Sequence, residues 1–556
     1  MILLYKFEYI SKNFMLENFL ENICEKFTKN FLITRDENIV ALYIDQSEEK
    51  QHELADILAE QLPLSIFLKT TSVNVVEKIE GQSYDIQECE ISLPFTKKAY
   101  IQSKDGDLNP FVQNEVGSTC RGICSSITTR IDGKETTASN REDYKKAYED
   151  IAKLIADGKR VKIKMTNGSF SFFNLSKESL QDIKEFEIIL TDLSHTQKMV
   201  NLRENEIVAL ASIEKPIIRA KVNTIYESKG ILPSNRVKVR MPNTLLVHFI
   251  CEELHKLGVE FIAKSSDDID CYCSVDYDAD LPKIEDIEIT VLENGEIFIL
   301  NTDAYSSKSS REGLDKFDKP YLKQLAALLI ERDLFEYKTS CFYFSKKHDD
   351  TILFHDEKNT ILPLVKFHTF SSVSEIFEVI ASSDDSGKRL IENYKNKFPE
   401  ICEIALGTNI PKNLAQNLFN NISFISLIVG FSSDFKIAGD ILIEKAEDFG
   451  GQKGPRMDYR VMEEDKVNSD FNSYRLIKSA MSFKLAGTDD MTLSFGIMES
   501  FAYFLSDIAD THKESLNSNK IALGGSLFGY SKFTELVAKN LLANHSIYFN
   551  QELAIE

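Results

Sequence analysis

Apolar residues at Tyr144, Ala147, Tyr148, Ile151, Leu154 and Ile155 recur at three- and four-residue steps, the spacing of one buried helix face. Asn140 stands where its side chain can cap the first turn, Asp143 suits the positive helix end, and Gly158 can stop the last turn. A short strand pattern follows at Arg160–Lys164, then a turn at Asn167-Gly168. Further apolar pieces lie at Phe186–Leu193, Lys215–Ile218 and Met241–His248.

Upstream, alternating runs predict strands at Leu3–Tyr9, Phe31–Thr34, Ile39–Tyr43 and Leu64–Thr71, with helices at Met15–Phe27 and Glu49–Gln61. The resulting βαββαβ order over residues 1–75 is the split ferredoxin-like motif. Residues 76–139 read as a polar connector of strands and loops, with turn signals at Asp105-Gly106, Asn109-Pro110 and Asp132-Gly133. Residues 140–305 form an α/β middle domain, and residues 306–556 the remainder. In that last part Lys319–Asp333 predicts a helix with Pro320 in its first turn, and Thr339–Phe344 with Thr351–Phe354 a hairpin. Helices alternating with short strands are expected beyond it. Leu493–Ile508 reads as a helix, Lys520–Leu523 as a buried strand, Gly524-Gly525-Ser526 as a turn, Lys532–Asn544 as a helix and Ser546–Phe549 as a final strand. The fold class expected is α/β, in several domains, because 556 residues exceed what one core holds.

Charge narrows the partners. Acidic residues outnumber basic ones 87 to 65, a net charge of −22, which disfavours nucleic acid and anionic membrane. The first ten residues are interrupted by Lys6 and Glu8 and read as a strand, not a signal peptide. The longest apolar run, Ile422–Phe431, falls short of the roughly 20 residues that span a bilayer. A cytoplasmic protein is expected. Nine irregularly spaced cysteines read as free thiols; Cys120/Cys124 and Cys271/Cys273 are the only close pairs and lack zinc-finger spacing.

The middle segment resembles the YrdC-like domain of the HypF-type carbamoyltransferases, which mature [NiFe] hydrogenases. The family run G-K-x-V-x-I-K-G-x-G-G-F is answered by Gly158–Ser169, where Lys164 and Gly168 match and Met165, Asn167 and Ser169 do not. The family's K-P-F-A-V-M is answered by Glu185–Leu190, its S-P-x-x-P-I-V by Ser212–Ile218, and its L-P-Y-T-P-L-H-H by Met241–His248. HypF-type proteins begin with an acylphosphatase domain of βαββαβ order, matching residues 1–75. The connector lacks the C-x-x-C pairs of the family's zinc fingers. The end resembles the family's sugar-kinase-like transferase domain: in A-L-S-G-G-V-F-Q-N, Ala522, Leu523, Gly525 and Phe528 match.

The resemblance implies ATP with Mg²⁺ as a ligand, carbamoyl phosphate as a substrate and a cysteine of a protein partner as acceptor. Its chemistry is incompletely carried. The acylphosphatase loop has neither glycine nor arginine at Tyr9–Met15. No H-x-x-x-H pair stands for the family's metal histidines, and Phe549–Glu556 holds no N-D-G-G-I, so no metal site is expected. Lys164, Lys184, His248 and Ser265 are the candidates for a residual phosphate site, with Gly168 in the adjoining turn; surface lysines and a core histidine are the plain alternative. Gly450, Gly451, Lys453 and Arg456 lie in the most glycine-rich run, which suits either an anion nest or a surface loop. Gly524 and Gly525 suit either a nucleotide turn or a turn kept for packing.

Two functions follow. One is a diverged HypF-like carbamoyltransferase in hydrogenase maturation, with adenylate formation the step best supported. The other is a non-catalytic paralogue binding a nucleotide or a protein partner: the apolar periodicity is kept while ligand residues are not.

Overall fold

The computed structural model describes residues 2–82, 84–117, 126–131, 133–278, 281–358, 360–462 and 469–556. Two units are distinguished: Met1–Val291 with Asn301–Lys308, and Leu292–Leu300 with Ser309–Glu556. The expected division between residues 305 and 306 falls inside this exchange of short segments.

The first unit opens with a four-stranded antiparallel sheet in the order Phe31–Asp36, Ile39–Asp45, Ile2–Tyr9, Leu68–Val76. Helices Met15–Phe27 and Glu48–Gln61 complete the βαββαβ order. The first helix buries Met15, Leu16, Phe19, Leu20 and Ile23, the stripe that the sequence spacing requires. The last strand begins at Leu68 rather than Leu64. Pro63 precedes Leu64, and Ser65 is drawn away from the ladder by a hydrogen bond from its Oγ to Glu214 Oε1 at 2.6 Å.

The segment read as a connector contains more than strands and loops. A helix spans Lys97–Asp105, capped by Thr96, whose Oγ accepts from Ala99 N at 3.1 Å. Ile127–Ile131 and Lys134–Ala138 form a hairpin that joins the large sheet through Cys273–Asp276. Cys120, Cys124 and Asp132 lie outside the described residues.

Within the first unit, the large sheet runs Glu288–Val291, Ile217–Val222, Arg236–Arg240, Glu187–Leu190, Phe261–Ser265, Gly168–Asn174, Val161–Met165, Cys273–Asp276, Ile127–Ile131, Lys134–Ala138. Helices Arg141–Ala156 and Leu245–Lys256 pack together over it. Tyr144, Tyr148, Ile151 and Ile155 meet Phe249, Ile250 and Leu254 in one apolar cluster with Ile163 and Phe172. Asn140 caps as expected, accepting from Asp143 N at 3.1 Å, and Gly158 ends the helix at φ +80°.

The second unit is built on the sheet Ser469–Asp470, Ile361–Lys366, Thr351–His355, Thr339–Tyr343, Lys520–Gly524, Ser546–Tyr548. The expected hairpin is its centre. The expected alternation of helices and strands beyond it is corrected. Helices Val373–Ser383, Asp385–Lys397, Pro399–Gly407, Leu418–Ile428, Phe435–Glu447, Ser473–Ala486 and Asp490–Leu516 follow one another, and among the described residues only Ser469–Asp470 is strand. Every residue of helix Leu418–Ile428 is buried. A helix buried on all sides loses the 3.6-residue period, so a short apolar run looks like a strand.

Candidate functional site

Strand Val161–Met165 buries Val161, Ile163 and Met165 and leaves Lys162 and Lys164 half-buried on its other face. Lys164 Nζ donates to Tyr277 O at 2.8 Å and lies 4.8 Å from the centre of the Tyr277 ring. It borders a cavity of about 110 Å³ with Thr166, Asn243, Thr244, Phe111 and Tyr277. Thr244 caps helix Leu245–Lys256, accepting from Val247 N at 3.3 Å. Gly168 opens the next strand at φ +147°, a conformation that favours glycine. Lys164 is thus brought to a concave, mostly apolar space with a few polar groups.

Asn243 connects the cavity wall to a buried charge cluster. Its Nδ2 donates to Asp286 Oδ1 at 3.1 Å, and Asn167 Nδ2 donates to Asp286 Oδ2 at 2.9 Å. Arg240 and Lys264, with side chains only 1% and 3% exposed, both reach Asp286 and Glu187. Lys264 Nζ lies 3.0 Å from Asp286 and 3.3 Å from Glu187. Burial pushes the Asp286 carboxyl up, but Arg240 and Lys264 outweigh it and bring it down to about 2. Two cations are therefore matched by two carboxylates of the same chain. Sequence reading missed this cluster. Its signal is present: Arg236, Lys238 and Arg240 alternate with valine, and Lys264 interrupts the apolar strand Phe261–Ser265.

The other residues expected near Lys164 are placed elsewhere. Lys184 is exposed, and its backbone N donates to Asp267 Oδ2 at 2.7 Å. Ser265 is buried; its Oγ donates to Glu185 O at 2.7 Å and accepts from Asp267 N at 3.1 Å, which fixes a turn. His248 sits between Phe95 and Tyr100, each ring centre 5.0 Å away, and 3.8 Å from Glu252. Burial lowers its imidazole to about 4. A quarter of its side chain stays exposed.

In the glycine-rich run Gly450–Arg456, Gly454 and Arg456 have partners within the chain. Gly454 N donates to Glu499 Oε2 at 3.0 Å, and a Cβ on Gly454 would overlap the backbone of Gly496. Arg456 stacks 4.8 Å above the Tyr503 ring. A Cβ on Gly451 would meet the Phe449 ring, Gly450 has open space around it, and Lys453 is exposed. The Gly524-Gly525 turn is closed in the same way. Gly525 holds φ +97°, its N donates to Ile555 O at 2.5 Å, and a Cβ on it would collide with Phe344 O. A Cβ on Gly524 would strike Gln324.

At the N-terminal loop, an arginine of the second strand, Phe31–Asp36, reaches the backbone. Arg35 Nη2 donates to Tyr9 O at 3.0 Å and Ser11 O at 2.6 Å, while Nη1 pairs with Glu17 Oε1 at 2.5 Å. Tyr84 OH also donates to Glu17 at 2.9 Å. The guanidinium braces the loop and faces an internal carboxylate. Among the described residues no group of three or more His, Cys, Asp or Glu side chains is disposed to hold a metal, and no helix is long and apolar enough to cross a membrane.

No family model matches the sequence. Over 503 residues the chain is 21% identical to Protein HydE of Wolinella succinogenes, a match covering 88% of each protein. The crystal structure of full-length HypF in its phosphate- and nucleotide-bound form aligns with a TM-score of 0.65 at 13% identity, over 100% of this chain and 96% of that one. HypF of T. kodakarensis aligns with a TM-score of 0.64 at 11% identity, over 99% and 96%. The apolar framework, the βαββαβ opening and the two larger α/β sheets are thus those of one known multidomain architecture: the chain has the HypF fold along its length.

Proposed function

We propose that this chain is a HypF-like protein of [NiFe] hydrogenase maturation that works as a non-catalytic, protein-binding member of the group, in a cytoplasmic setting. The fold and the likeness to Protein HydE support the setting. One observation carries the loss of catalysis: the Gly524-Gly525 turn, the segment answering the family's nucleotide turn, is packed against its own chain at Phe344 and Ile555. A nucleotide needs that backbone open, and the residues present do not fit one. The test is a thermal melt of the full chain with millimolar ATP, Mg²⁺ and carbamoyl phosphate. A ligand that binds the folded state raises Tm, so an unchanged Tm is expected and a clear rise refutes the reading.

A second reading has one specific observation in its favour. Lys164 keeps its family position and borders a cavity. On this reading the middle segment retains adenylate formation, and the chain cleaves ATP when carbamoyl phosphate and Mg²⁺ are supplied. Turnover that disappears in Lys164→Ala would favour it; turnover equal in both proteins would dismiss it.

A further inference from the structure

Four segments of the second unit meet around a cleft of about 700 Å³. They are the start of helix Pro320–Glu331, the loop after strand Thr339–Tyr343, the residues before helix Val373–Ser383 and those before helix Leu418–Ile428. All but the third bring cations: Lys319, Lys347 with His348, and Lys412, each an exposed side chain. The one carboxylate lining the cleft, Asp349, accepts from Gln416 N at 2.7 Å. Among the described residues no ion pair engages Lys347 or Lys412. On a chain whose acidic residues outnumber its basic ones 87 to 65, three lysines against one carboxylate reverse the local sign. The first turn of helix Pro320–Glu331 adds its positive end. Such a lining attracts an anionic occupant.

The lining also selects the kind of anion. A phosphate is gripped by converging backbone N–H groups or by the planar fork of an arginine. Here those amides are already taken. Lys347 N and His348 N both donate to Ser345 Oγ at 2.9 Å, Thr369 N donates to Gln416 Oε1 at 3.0 Å, and Gln416 N is held by Asp349. Among the described residues no arginine lines the cleft. What remains is ammonium groups on flexible stems, beside the half-buried rings of Tyr321 and Phe370. Separate point charges between apolar walls suit carboxylates spaced along a polypeptide with apolar side chains among them. The net charge of −22 does not bar such a segment, because charges more than about 8 Å away are largely screened at physiological ionic strength.

We infer that this cleft docks an acidic segment of a partner protein, with carboxylates on Lys319, Lys347 and Lys412 and apolar side chains against Tyr321 and Phe370; this rests on the protein-binding reading above. The test is fluorescence anisotropy of the full chain with a labelled octapeptide of alternating glutamate and phenylalanine. That peptide binds, its counterpart with glutamine in place of glutamate does not, and binding weakens as salt is raised. Lys347→Glu with Lys412→Glu weakens it about tenfold, while circular dichroism stays that of the wild type because both positions are exposed. Lys388→Glu with Lys436→Glu changes the net charge equally at exposed helix positions outside the cleft and leaves binding unchanged. Absence of binding overturns the inference, as does equal weakening by the two double variants. Displacement of the peptide by equimolar inorganic tripolyphosphate assigns the cleft to phosphate and overturns it, and so does tighter binding of a single-stranded oligonucleotide. With the ATP melt unchanged, a peptide that fails to bind sinks this inference alone, whereas a rise in that melt refutes the protein-binding reading whatever the peptide does.

Discussion

Gly454 and Gly496 touch backbone to backbone: a methyl group on Gly454 would occupy the space of the Gly496 Cα and N. The loop 450–456 therefore crosses helix Asp490–Leu516 at a point where neither chain has room for a side chain. Its glycines divide by this geometry, not by their number. Gly454→Ala is expected to destabilise the protein by roughly 1–3 kcal/mol through overpacking. Gly450→Ala, with open space around it, is expected to be close to neutral. Urea denaturation of the two variants checks the contrast.

Arg35 and Glu17 form a pair whose side chains are 11% and 0% exposed. Removing one partner leaves a buried charge without its counterion. Arg35→Ala is expected to cost about 3–5 kcal/mol, more than Arg35→Ala with Glu17→Gln together, because the double variant leaves no orphan charge. A double-mutant cycle by chemical denaturation reads the coupling, and additive losses would contradict it.

Asp286 serves two buried cations. Its carboxyl is held down at about 2, below the roughly 3.9 of an unfolded aspartate. A depressed folded value means stability fully present above about pH 4 and lost as pH falls towards 2. Asp286→Asn is expected to lower stability strongly at neutral pH and to flatten the response at the acid end. The measurement is Tm against pH for both proteins.

His248 and His512 are each lowered by burial to about 4. An unfolded histidine titrates near 6.5. The folded chain binds these protons less well, so their contribution is whole above about pH 6.5 and is lost as pH falls through about 4. His248→Phe keeps an aromatic ring between Phe95 and Tyr100 and removes the titrating group. Its stability is expected to fall less steeply between pH 6.5 and 4 than that of the wild type, by calorimetry.

Periodicity made much of the framework legible. The stripe at Tyr144–Ile155 and the βαββαβ opening show their burial in the order of residues, because a half-buried element must alternate at its own period. Helix Leu418–Ile428 was less legible because it is enclosed from all sides. The residues around Lys164 divided for another reason. Lys164 and the Asn243–Thr244 segment converge within the first unit, whereas Lys184, Ser265 and His248 are turned to other neighbours.

Local order thus determined which stretches become strands and half-buried helices, since hydrophobic burial is written at fixed steps along the chain. It also showed where the chain differs from the HypF-type glycine and histidine motifs it resembles. Only the tertiary structure decided which residues meet across the fold. Arg35 with Glu17, Arg240 and Lys264 with Asp286, and Gly525 with Ile555 are pairs separated by long stretches of chain. The strength of a buried charge or a closed turn depends on what packs against it across the fold, and no spacing along the sequence records that.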